Sequence, residues 1–200
     1  MNKKVLALGL LSATALSALG TTTAFAAEST TGNTTVTYEP GTTSPTDATW
    51  AVSMPVNVLL NESHEATGQD ETQKAKSIND KGETLTFTVY DKVLGTNSHT
   101  GNEVISVTLA NGEQSGELVM DKTAGKGSNP KMALVKQTGN GASPTYGYIK
   151  GTNDGNVGTL ENKADKHTLS VKAGISTAGD KVQKGDKFSK ELTFKFTKTN

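Results

Sequence analysis

Cysteine is absent from all 200 residues, which excludes disulfides, thiol catalysis, thiolate metal sites and a lipid-modified N-terminal cysteine. Arginine is absent too, so all 20 basic residues are lysine, and the planar fork that reads phosphate and carboxylate is missing. Those lysines face 20 acidic residues, and a near-neutral chain without arginine clusters is a poor match for nucleic acid. Aromatic residues make up 5% of the chain, with Trp50 the single tryptophan; a glycan-cleaving cleft would usually present several rings. There is no P-loop, no dinucleotide fingerprint and no G-x-S-x-G around any serine. The three histidines, His64, His99 and His167, fall in turn or strand-end stretches and are expected at the surface. These scarcities point away from an enzyme, and no catalytic, cofactor-binding or metal-ligating residue is expected.

One long hydrophobic run is present, and it stands first. Asn2, Lys3 and Lys4 precede the apolar stretch Val5 to Leu19, and Ala24-Phe25-Ala26 follows with small residues at a signal-peptidase position. This is the pattern of a secretory signal peptide over residues 1–26. Its apolar core is shorter than the roughly 20 residues a membrane helix needs. The exported chain is expected to begin near Ala27, slightly acidic once Lys3 and Lys4 leave. Export without disulfides fits a Gram-positive cell. The chain ends on Lys198-Thr199-Asn200 without a sorting signal, so release or noncovalent retention at the surface is expected, with no membrane insertion after cleavage.

The next segment, residues 27–49, reads as a leader: a short strand from Thr34 to Tyr38, then a connector carrying Pro40, Gly41, Thr42, Thr43, Ser44 and Pro45. Residues 50–200 read as a single β domain. Trp50, Val52, Met54, Val56, Val58 and Leu60 are apolar at period two and predict one half-buried strand, at an edge or bulged at Pro55, which cannot donate a ladder hydrogen bond. Asn61 to Gly82 is mostly polar, with hardly any apolar residue except Ile78, and reads as a long loop, with at most a helical turn around Glu71 to Ile78. Strand patterns then recur between turn residues: Leu85 to Val89, Val104 to Leu109, Leu118 to Met120, Met132 to Val135, Tyr146 to Ile149, Val157 to Leu160, Leu169 to Ile175 and Leu192 to Phe196. The expected fold is all-β, an immunoglobulin-like antiparallel β-sandwich of nine or ten strands with a flexible N-terminal leader strand.

Two pairs of residues are candidates for partner binding. Val36 and Tyr38 on the leader strand could dock on the sheet edge of a neighbouring copy, building a fibre by strand addition; the same strand could instead pair at home. Tyr146 and Tyr148 share a face at period two and could stack on sugar or pack across strands. Asn153-Asp154-Gly155-Asn156 with Glu161 is a weak match to a calcium loop, offering too few carboxylates. Lys92 and Lys172, at strand positions, are candidates for an intramolecular isopeptide bond, although neither stands clearly on an apolar face.

The layout Thr35-Val36-Thr37-Tyr38, a Pro, Gly and Thr connector, then Thr49-Trp50-Ala51-Val52-Ser53 resembles small secreted surface proteins of lactic-acid bacteria and enterococci, of the type associated with WxL wall proteins. The W-x-L motif itself is absent, with Trp50-Ala51-Val52 in its place and no second tryptophan, so peptidoglycan attachment does not carry over. The resemblance implies a non-enzymatic extracellular role. Together these readings predict a secreted structural or adhesion protein of the cell surface, whose partner is itself or a cell-envelope or host surface component, with a carbohydrate-binding or glycan-acting module as the alternative.

Overall fold

The computed structural model of the chain describes residues 21–26, 29–33, 50–91, 99–151 and 155–200, and places the first two segments by backbone pairing alone. The expected leader strand with Val36 and Tyr38, the lysine at position 92, and Asn153 and Asp154 of the candidate calcium turn lie outside the described residues. The strands are β1 (Thr21–Ala26), β2 (Ser29–Asn33), β3 (Trp50–Pro55), β4 (Glu83–Asp91), β5 (Val104–Leu109), β6 (Glu117–Val119), β7 (Asp121–Ala124), β8 (Lys131–Gly139), β9 (Thr145–Tyr148), β10 (Asn156–Glu161), β11 (Thr168–Thr177), β12 (Lys187–Ser189) and β13 (Thr193–Lys198). One α-helix, α1 (Glu71–Lys81), interrupts them.

All strand pairs are antiparallel. The larger sheet runs β1-β3-β4-β11-β8-β6, with β9 also paired to β8; the smaller runs β10-β5-β13-β2, and β12 with β7 forms a separate ribbon. The fold is therefore mostly β and sandwich-like. Alternation decides which residues face inward. From the larger sheet come Trp50, Val52, Met54, Leu85, Phe87, Val89, Leu134 and Val171; Ile105, Val107, Leu160, Phe194 and Phe196 meet them from the smaller. Phe87 and Phe194 touch edge to face with ring centroids 4.8 Å apart, the geometry that aromatic quadrupoles favour.

A second apolar cluster lies on the outer face of the larger sheet. There α1 lays Ala75 and Ile78 onto Ala133, Val135 and Tyr148. Spacing of three places Ala75 and Ile78 on one helix face. Asp70 caps the start by accepting from the Gln73 backbone N–H at 2.8 Å, and the Gly82 N–H returns to the Ile78 carbonyl at 2.7 Å. A Cβ on Gly82 would lie 2.5 Å from the carbonyl oxygens of both Ala173 and Ile78, so only glycine lets the helix end this close to β11.

Four expectations change. The strand from Trp50 stops at Pro55 instead of reaching Leu60, because proline lacks the N–H that would extend the ladder; Val58 and Leu60 still pack on the core. That strand is buried on both faces, Ala51 and Ser53 included, where one wet face was expected. Asn61 to Gly82 is a short 3-10 turn at Glu62–His64 followed by a helix of 11 residues, not a loop with a single helical turn. The described residues hold thirteen strands against nine or ten, the additions being β1, β2 and the short partners β7 and β12.

Candidate interaction surface

β1 and β2 close the same side of the sandwich. β1 pairs with β3 over six positions, from Thr21 opposite Pro55 to Ala26 opposite Trp50. Two residues separate it from β2, which pairs with β13 from Ser29 opposite Thr197 to Asn33 opposite Thr193. The signal-peptidase position read after Ala26 falls at the end of β1, where the two-residue link begins. Without β1, the N–H and C=O groups on the outer side of β3 have no ladder partner, and such an edge is a template for another strand.

Near the other end of β3 lies an open groove of about 1020 Å³, lined by Val58, Leu60, Leu85, Met132, Ile175 and Leu192 among others. The larger sheet has more strands than the smaller one can cover. Val58, Leu60 and Met120 are partly buried against the core there, and Leu59 is 82% exposed.

The ribbon is organised by one carboxylate. Asp186 accepts from the backbone N–H groups of Lys126 (3.0 Å), Gly127 (3.1 Å) and Gln183 (3.0 Å). Gly125 beside it has φ of 100°, and a Cβ there would lie 1.8 Å from Asp186 Oδ1. The Gln183 backbone bond, then those from Lys126 and Gly127 with the Lys122 charge, hold the Asp186 carboxyl below its ordinary value against the opposing effect of burial. A depressed carboxyl contributes support that is complete above its unfolded pKa of about 4 and fades as pH falls through the lower folded value. Exchange of the Lys126 and Gly127 amides should therefore quicken as pH drops below about 4, after correction for intrinsic rates. Asp186→Asn should remove that acid response; an unchanged profile would contradict the role assigned to the carboxylate.

A polar lock joins three strand ends. Asn162 is fully buried and its Nδ2 donates to Asp91 Oδ1 at 2.6 Å and to Glu103 Oε2 at 3.0 Å. Asp91 also accepts from the Thr100 N–H, the Thr100 hydroxyl and the Gly101 N–H. Two carboxylates thus converge, but on an amide donor that spans them and not on an open cleft. Sequence reasoning singled out none of the three, since they are distant in the chain and carry no local signature.

Tyr146 and Tyr148 share a face of β9, as period two expects. That face lies against α1: Tyr148 is 8% exposed and Tyr146 half-buried beside it. Burial first, then the Glu117 and Glu71 carboxylates, push the Tyr148 phenol up to about 12, so it stays neutral. Beside it Lys150 pairs with Glu71 at 2.8 Å, on the rim of a small pocket with Lys74 and Ser115. The two rings are spent largely on packing the helix.

The histidines divide. His64, expected at the surface, is buried; its Nδ1 accepts from the Asn61 N–H at 3.0 Å and its Nε2 lies 3.1 Å from Glu83. His99 and His167 are more open and stack on each other at 3.7 Å. Lys172 donates to Thr84 Oγ1 at 2.7 Å and to the Gly82 carbonyl at 3.3 Å, at a partly exposed position. No family model, curated protein or solved structure matches the chain.

Proposed function

We propose that this chain is an exported, non-enzymatic structural or adhesion protein of the bacterial surface, immunoglobulin-like in its two packed layers but with its own strand order. After removal of residues 1–26 it is released or held noncovalently, and its partner is a cell-envelope or host surface component. The observation that carries this reading is the coincidence of two independent boundaries. The cleavage position read from composition falls at the end of β1, where the short link to β2 begins, so processing would divide the chain between strands instead of through one. The likeness of the leader to small surface proteins of lactic-acid bacteria and enterococci points the same way.

Expression in a Gram-positive host followed by fractionation and intact mass tests it. The expected product begins at Ala27 and is recovered from the medium or washed from the wall by salt. A cytosolic chain retaining Met1 to Ala26 would sink the reading.

A further inference from the structure

We infer that the groove beyond the end of β3 is where two copies of this chain meet, paired about a two-fold axis through the segment Val56 to Leu60. Only residues past Pro55 are involved, so the pairing stands apart from the processing proposed above.

Val56 to Leu60 leaves β3 at a proline and belongs to no strand or helix. Val58 and Leu60 pack on the core, while Leu59 between them is 82% exposed. Among the described residues, none of the five makes a backbone hydrogen bond. An apolar run with open N–H and C=O groups is a template for another chain. The run lines the groove of about 1020 Å³, a space several times the volume of one leucine side chain, so a stretch of chain is needed to fill it. Val182, 44% exposed, lines the same groove. Two of the three large exposed hydrophobic residues among those described therefore share one opening, which is a patch and not the scatter expected of a surface without a partner.

Charge selects the occupant. Glu62 and Glu65 line the groove just past Leu60, and Lys184 and Lys187 line it from the segment that leads into β12. None of these four is in a salt bridge among the described residues. The other charges of the lining are already used: Asp186 accepts from three backbone N–H groups, and Lys190 lies 3.5 Å from Asp121. A strongly anionic or strongly cationic ligand would meet as much repulsion as attraction here. A second copy turned about a two-fold axis does not, because the acidic segment of each chain meets the basic segment of the other. Every contact is then made twice, and Leu59 of each copy enters the apolar floor formed by Leu85, Met132, Ile175 and Leu192 of its partner. The balance of 20 lysines against 20 acidic residues leaves little net charge to hold two copies apart.

Sedimentation equilibrium of the purified chain, over a series from micromolar to millimolar, tests this. The mass is expected to rise from one chain to two and stop there, since a two-fold contact closes on itself. Leu59→Asp should weaken the pairing about tenfold or more. A chain carrying Glu62→Lys and Glu65→Lys should stay single, as should one carrying Lys184→Glu and Lys187→Glu, and a mixture of the two should pair again, because each then meets only opposite charge. Rescue in the mixture also shows that both variants are folded. A parent chain that stays single at every concentration would overturn the inference, and uptake of a long-chain fatty acid by that single chain would assign the groove to a small amphiphile instead. Growth past two chains, pairing untouched by Leu59→Asp, or a mixture that fails to pair while each variant keeps the parent's unfolding midpoint would overturn it too.

Discussion

Phe194→Ala is expected to lower stability by about 3–5 kcal/mol, the range for truncating a fully buried aromatic residue. Phe194 is 0% exposed and sits on β13, which is hydrogen-bonded to β5 on one side and β2 on the other. Its ring is held edge to face by Phe87 of the opposite sheet at 4.8 Å, while Phe196 lies 6.0 Å from that same ring. Strands on both sides prevent β13 from shifting inward, so the vacated space stays open and its lining loses dispersion contacts as well as transfer energy. Urea unfolding of the purified chain reads the effect as a lower midpoint with unchanged slope. Phe188→Ala, at the one half-buried position of β12, should cost far less. Equal losses at the two sites would show that the inter-sheet contact is not the centre of the core.

Asn162→Asp is expected to be as damaging, and Asn162→Leu to cost about 2–4 kcal/mol, because the amide is the donor between two carboxylates. The leucine variant keeps the volume but withdraws two charge-assisted bonds, leaving Asp91 and Glu103 facing an apolar group. The aspartate variant adds a third acid where a donor stood, and like charges in a buried site repel. Asp91 keeps its bonds from Thr100 and Gly101, so damage should begin between Glu103 and Asn162. Their link also includes the Asn162 N–H to the Glu103 carbonyl at 2.9 Å. Thermal unfolding, with exchange of that amide, separates the local effect from the global one. An Asn162→Asp protein as stable as the parent at neutral pH would show that the lock carries no energy.

The strands visible in the sequence are those whose alternation is long and clean. β4, β5, β11 and β13 lie where Leu85 to Val89, Val104 to Leu109, Leu169 to Ile175 and Leu192 to Phe196 placed them. Helix α1 was hidden because it rests on a sheet through only Ala75 and Ile78, with Ser77 also buried, too few apolar positions for a helical period to stand out against a polar run. The same helix accounts for Tyr146 and Tyr148: their shared face is legible from spacing, but only the packing reveals that a helix lies on it. Asn162, Asp91 and Glu103 were illegible for a different reason. They are brought together by three strand ends from separate parts of the chain, and no pattern along the chain encodes that meeting.

Composition and alternation alone settle that this chain is a disulfide-free, arginine-free β protein, since side-chain period and missing residue types are properties of the chain itself. Where each strand sits in its sheet, that β3 is covered on both faces, and that three polar side chains close into a lock were decided by the tertiary structure. The reason is range: alternation states that a face is apolar, while what covers the face depends on strands dozens of residues away.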